Sequence, residues 1–212
     1  MSSALVTALS DLEESAVLDE VKRRLAAGDS STAILEDCRE GMVLVGQRYE
    51  TGEYFISDLM MAGNIFKQAT ELLGSGAAGE ASEPVGVVVM GTVKGDVHNI
   101  GKDLVVSLLR AANFSVTDLG IDVPPDRFVE TVKETGAAVV GLSGLLTTSF
   151  DPMRDTVAAF AAAGLRDKVK VMIGGGPVTE QVCAYAGADG WSTNAQSAVS
   201  MANAWTREEE AR

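Results

Sequence analysis

From residue 85 onward the chain alternates between two kinds of segment, and that alternation leaves few folds open. Short apolar runs at 85–90, 115–119, 138–142, 169–173 and around 189–191 have the length and β-branched content of strands. Stretches with helical spacing separate them, at 102–112, 125–135, 152–163, 179–186 and 195–205. Short strands that each lead into a helix form a parallel sheet with helices on both faces. Right-handed crossovers narrow the choice further. The expected domain is α/β, Rossmann-like (flavodoxin-like), with a five-stranded parallel sheet in the order 2-1-3-4-5.

Residues 1–74 have a different rhythm and contain no proline. Leu5, Leu9 and Leu12, then Val17, Leu18, Val21 and Leu25, recur at helical spacing. Gly28 and Asp29 break the pattern, and Ser30 or Ser31 can cap the next helix. Ile34, Leu35, Cys38, Met42 and Val45 continue it up to Thr51-Gly52. A further helix carries Leu59, Met60, Ile65, Phe66, Ala69, Leu72 and Leu73, with Ser57 ahead of it. Three or four helices with short connections make a small bundle. Residues 75–84 are small and polar, the composition of a flexible linker. The expected organisation is a helical bundle at 1–74, a linker at 75–84 and the α/β domain at 85–212.

Charge excludes some partners. With 17 basic and 30 acidic residues the net charge is −13, whereas nucleic acid and anionic membrane surfaces call for clustered Lys and Arg. No signal-like start and no apolar run near 18 residues are present, so a cytoplasmic protein is expected. Cys38 and Cys183 fit no zinc spacing and read as buried free thiols.

In a doubly wound sheet, ligands bind beyond the carboxyl ends of the strands, where strand order reverses. Here that place lies between strands one and three. Strand one leads into Gly95-Asp96-Val97-His98-Asn99-Ile100-Gly101, which holds the only histidine of the chain. Strand three leads into Ser143-Gly-Leu145-Leu-Thr147-Thr-Ser149, and strand four into Gly174-Gly175-Gly176-Pro177. Three loops of glycine and small polar residues thus converge on one edge, as suits close approach by a bulky ligand. An acid two residues before a histidine can hold one ring nitrogen and leave the other for a metal. Gly101-Lys102 resembles the end of a phosphate-binding loop, but Asp96 stands where the first glycine is needed and Asp103 where Ser or Thr is needed.

Asp96-x-His98-x-x-Gly101 is followed after 41 residues by Ser143-x-Leu145, and after 28 more by Gly174-Gly175. These three pieces in this order, with Asp118-Leu-Gly120-x-x-Val123-Pro124 as a fourth between the first two, resemble the signature of cobalamin-binding domains. Tyr49-Glu50-Thr-Gly52-Glu-Tyr54-Phe55, with the Met-rich helix after it, resembles the helical cap of methyl-carrying corrinoid proteins. The chain is therefore similar, over about residues 10–205, to the corrinoid methyl carriers of methyltransferase systems and to the cobalamin module of methionine synthase. Serine at position 57, often proline in that family, and tryptophan at position 191, often tyrosine, leave the motif intact.

The resemblance implies a cofactor, cobalamin (as methylcobalamin or cob(I)alamin) or a related corrinoid, and roles for residues. His98 is implied as the lower axial ligand of cobalt, replacing the cofactor's dimethylbenzimidazole base, whose nucleotide tail enters the sheet. Asp96 and Ser149 form the implied relay behind His98. Ser143 and Thr147 are implied partners of the tail, and Gly101, Gly174 and Gly175 leave it room. Val97 and Leu145 belong to the same segments, and Phe55, Met60 and Met61 are the implied cap contacts. The implied function is a carrier, not a complete enzyme, that shuttles a methyl group between a substrate:corrinoid methyltransferase and a methylcorrinoid:acceptor methyltransferase (acceptor tetrahydrofolate or a thiol), with a corrinoid reductive activase as third partner. Neither nucleic acid nor membrane is an expected partner. Two alternatives share the motif: the small subunit of an adenosylcobalamin mutase, against which the helical half argues, and a cobalamin-dependent photoreceptor or regulator. The latter needs a basic DNA-binding helix pair, and only Lys22-Arg23-Arg24 comes near one.

Overall fold

The structure, a computed structural model, describes residues 3–74 and 83–210, the side chains of 208–210 aside. Residues 75–82 of the expected linker lie outside the described residues. The chain divides into two compact units, Met1–Glu83 with Ala111–Asn113, and Pro84–Arg110 with Phe114–Arg212.

The first unit is built from four helices: α1 (Ala4–Ser10), α2 (Glu14–Ala27), α3 (Ser31–Glu50) and α4 (Ile56–Leu73). Ser30 caps α3, its hydroxyl accepting the Ala33 N–H at 3.1 Å. Asp58 anchors the start of α4, its carboxylate accepting the Phe55 N–H at 2.7 Å. The periodicity through Leu5, Leu9 and Leu12 conceals one break: Leu12 has φ 62 and separates α1 from α2. Leu5, Leu9, Val17, Val21, Ile34, Cys38, Leu59 and Ile65 are fully buried and form the core of the bundle. Burial pushes the Cys38 thiol up to about 12, so it stays protonated and inert. Both cysteines are free and buried.

The second unit is a five-stranded parallel sheet in the order β2-β1-β3-β4-β5. Its elements are β1 (Gly86–Thr92), α5 (Ile100–Ala111), β2 (Phe114–Asp118), α6 (Pro125–Thr135), β3 (Val139–Ser143), α7 (Phe150–Ala162), β4 (Lys170–Gly174), α8 (Glu180–Ala186), β5 (Gly190–Ser192) and α9 (Ala195–Glu210). A single 3-10 turn, Thr147–Ser149, precedes α7. The strands are apolar along most of their length because helices cover both faces. Phe128, Leu142, Met153, Phe160, Val171 and Ile173 are buried together in one core cluster.

Register decides what stands at the working end. Thr92 pairs with Ser143, Ser143 with Gly174, and Gly174 with Ser192. The carboxyl ends of β1, β3, β4 and β5 therefore finish on one line. The loops that follow open from the same edge. Among the described residues no helix is long and apolar enough to cross a membrane.

Candidate functional site

Asp96 is the centre of the loop edge. It is fully buried, an expensive position for a carboxylate unless its oxygens are satisfied. Oδ1 accepts the His98 main-chain N–H at 3.0 Å and contacts His98 Nδ1 at 2.7 Å. Oδ2 accepts the Leu145 N–H at 2.7 Å, the Leu146 N–H at 3.2 Å and the Ser149 hydroxyl at 2.7 Å. Burial by itself pushes the carboxyl up. Hydrogen bonds from the His98 main chain, the Ser149 hydroxyl, the His98 ring and the Leu145 main chain outweigh burial and hold it well below the usual carboxylate range. One ionised carboxylate thus joins the loop after β1 to the loop after β3. Ser149 stands at the N-terminus of α7, but its hydroxyl goes to Asp96 rather than capping the helix.

The anionic Asp96 fixes the histidine. A carboxylate is acceptor only, so Nδ1 carries the proton and the lone pair rests on Nε2. Among the described residues none bonds Nε2, and the side chain is 46% exposed. The main chain is held as well: the buried Thr92 hydroxyl donates to the His98 carbonyl at 3.1 Å. No described group of three or more His, Cys, Asp or Glu could hold a metal ion.

The other residues of the three loops follow. Ser143 is half-buried and Thr147 exposed; neither hydroxyl has a partner among the described residues. Val97, Ile121, Leu145 and Leu146, on loops hydrogen-bonded to one another, and Ile100, the first residue of α5, are exposed apolar side chains. Gly174 lies against β5, where an added Cβ would stand 3.2 Å from the Ser192 carbonyl. Gly175 requires a correction of its expected reason. It has φ 138, and an added Cβ would stand 1.9 Å from the Gly144 carbonyl oxygen. The chain's own turn, before any ligand, forces glycine there. Lys102, which follows Gly101 in the sequence as in a phosphate loop, has another task. It is buried, its ammonium on Asp103 at 2.5 Å and Asp118 at 2.6 Å, and cannot reach a phosphate.

In the helical unit Phe55, Met60 and Met61 are not core. Phe55 is 70% exposed, and Ile56, Met60 and Met61 are exposed beside it on the first turns of α4.

Two family profiles, each described as a B12 binding domain, match the chain, one over residues 86–200 and one over residues 2–73. Dimethylamine corrinoid protein 1 of Methanosarcina acetivorans is 40% identical over 203 residues, 95% of this chain and 93% of that protein. The chain belongs to the cobalamin-binding corrinoid proteins of methyltransferase systems. Solved corrinoid proteins share its fold. A cobalamin-binding protein from Desulfitobacterium hafniense is 42% identical with a TM-score of 0.74, the match covering 95% of this chain and 97% of that one. The methanol:cobalamin methyltransferase complex of Methanosarcina barkeri aligns with a TM-score of 0.82 at 26% identity, over 96% of this chain and 78% of that one. The cofactor of this corrinoid protein is a cobalamin or related corrinoid.

The residues present fit such a group. Gly101 lies in the first turn of α5, where glycine costs about 0.5–1 kcal/mol relative to alanine. Nothing stands within 4 Å of the place an added Cβ would take, and its φ is not positive. No feature of the chain itself asks for glycine there, whereas a ligand passing beside α5 does. The exposed apolar rim and the free Nε2 suit the underside of a flat macrocycle around a metal.

Proposed function

We propose that this corrinoid protein binds cobalamin base-off/His-on, with His98 Nε2 as the lower axial ligand of cobalt, and shuttles a methyl group between two methyltransferases. The observation that carries this reading is the 2.7 Å contact between Nδ1 and a buried, ionised Asp96, which leaves Nε2 as the free nitrogen. The bound corrinoid supplies a cobalt that takes up and releases the methyl group. The chain's residues do the rest. Asp96 Oδ1 holds the Nδ1 proton and the rotation of the ring, and so sets how strongly Nε2 donates. Ser149 and the two loop N–H groups hold Asp96. Ser143 and Thr147 offer unpaired hydroxyls to the displaced tail, along a path that Gly101 and Gly174 leave open, with Gly175 shaping the turn beside it. Val97 and Leu145 supply apolar contact.

The finer assignments belong to the same reading. The helical unit, 1–74, caps the cofactor through Phe55, Met60 and Met61, and 75–84 links it to 85–212. The partners are a methyltransferase that demethylates a small methylated compound, an acceptor methyltransferase that uses tetrahydrofolate or a thiol, and a reductive activase, all in the cytoplasm. Relatives at 37–45% identity are named dimethylamine corrinoid proteins, which supports a methylated amine as donor.

His98→Ala tests the axial assignment. The apo variant should keep the wild-type unfolding midpoint, because the ring is half exposed, and should lose the spectrum of nitrogen-coordinated cobalamin. Retention of that spectrum would show that cobalt finds its ligand elsewhere.

A further inference from the structure

The segment 118–124, Asp118-Leu-Gly120-Ile-Asp122-Val123-Pro124, belongs to the family-like pattern, yet the proposed function gives it no task. Among the described residues it makes no hydrogen bond to His98; it is stitched to the loop that carries His98. The Asp122 N–H donates to the Asp96 carbonyl at 3.0 Å, and the Gly95 N–H donates to Asp122 Oδ1 at 2.7 Å. Upstream, the Thr92 N–H donates to the Gly120 carbonyl at 2.9 Å and the Val123 N–H to the Thr92 carbonyl at 3.0 Å. Thr92 then holds the His98 carbonyl through its hydroxyl.

Asp122 has φ 53, a conformation disfavoured for any residue with a Cβ and best tolerated by glycine, asparagine and aspartate. Glycine would fit this backbone at less cost. What aspartate adds is the carboxylate on Gly95. The ligand loop is then anchored on two sides. Toward β3 it hangs by the Asp96 carboxylate; toward β2 it is held by both the main chain and the side chain of Asp122. Without the Asp122 carboxylate the loop keeps the Asp96 carboxylate and the Thr92 hydroxyl on the His98 carbonyl, and loses its side-chain hold at Gly95.

We propose that Asp122 is a positioning residue for His98: it grips the loop at Gly95 and Asp96 and sets where Nε2 stands. The proposal rests on the reading of His98 as axial ligand. Asp122 is exposed, so its substitution leaves the core intact.

The test uses the full chain. Cob(II)alamin is bound to wild type, Asp122→Gly, Asp122→Asn and His98→Ala, and the nitrogen-coordinated fraction is read from the splitting of the electron paramagnetic resonance signal. In parallel, amide exchange over 92–99 is followed in the apo proteins. Asp122→Gly keeps the backbone and removes the acceptor. It should lower the ratio of coordinated to uncoordinated cobalt about three- to tenfold, the range of one hydrogen bond, and speed exchange over 92–99. Asp122→Asn keeps an acceptor oxygen and should restore both. Wild-type behaviour of Asp122→Gly in both measurements overturns the proposal. A loss that Asp122→Asn fails to restore, or that circular dichroism traces to unfolding, overturns it too. Nitrogen splitting that survives in His98→Ala instead defeats the axial-ligand reading and leaves the grip on the loop to be judged by amide exchange.

Discussion

Gly101 and Gly175 stand at the same edge of the sheet for different physical reasons, and valine substitutions separate them. Valine at 175 must take φ 138 and drive Cβ into the Gly144 carbonyl, a backbone conflict that side-chain motion cannot relieve. Gly175→Val should cost about 3 kcal/mol or more of apo stability. Valine at 101 enters open space in a helical turn where it is no worse a helix former than glycine. Gly101→Val should keep or slightly raise apo stability and lower cobalamin affinity at least tenfold. Denaturant unfolding and spectroscopic titration read the two effects, and full affinity in Gly101→Val would place the tail path elsewhere. The contrast also shows what a sequence conveys at this scale. The Asp96–His98 contact spans two residues and follows from spacing, whereas Ser149 lies 53 residues away and stood out only as part of a longer pattern. Thr92 and Asp122 stand out in no local pattern, and Asp122 lies 27 residues from the Gly95 N–H it holds. Lys102 shows in the sequence only beside Gly101, and nothing near it reports Asp118, its partner 16 residues away on β2.

At the scale of elements, Lys102 ties α5 to β2. Its ammonium lies between Asp103 and Asp118 while only 2% of the side chain is exposed. Asp118 Oδ1 also accepts the Gly120 N–H at 2.9 Å, so the pair supports the turn from which Asp122 reaches the ligand loop. Lys102→Met leaves both carboxylates facing each other without the cation and should cost about 2 kcal/mol, discounted from a fully buried pair because both acids reach solvent. Lys102→Met with Asp118→Asn should regain part of that loss in the denaturation midpoint. If the single variant unfolds like wild type, the ion pair contributes nothing to the sheet edge. Element bounds were mostly legible. α6 follows its signals at both ends, Pro125 at the start and Gly136 with φ 67 after the end. β1 runs on through Gly91 and Thr92, beyond its apolar run, because pairing with β3 continues there. α5 begins at Ile100, ahead of the periodic residues, because the Asn99 carbonyl takes the Asp103 N–H at 2.7 Å. The break at Leu12 carries no glycine or proline to announce it, and the leucine spacing runs straight across it.

At the scale of the whole molecule, the α/β unit has a core of its own. Phe128, Met153, Phe160 and Ile173 pack within it, and the residues proposed to hold the lower face and tail of the cofactor all lie between 96 and 175. A fragment of residues 84–212 should therefore fold and bind cobalamin through His98. What it lacks is the exposed apolar face of α4, where Phe55, Ile56, Met60 and Met61 stand in water in the helical unit. Exposed apolar side chains on a bundle that has already buried its core make this the place to test for a cover. If it covers the upper side of the cofactor, it also cages the methyl radical released by light and lets it recombine with cobalt. Methylcobalamin bound to the fragment should then be photolysed severalfold faster than when bound to the intact chain. Phe55→Ala in the intact chain should fall between the two, because it thins the cover without removing it. Equal rates under identical light would mean that the face covers nothing, and its apolar side chains would have to serve the docking of a methyltransferase instead.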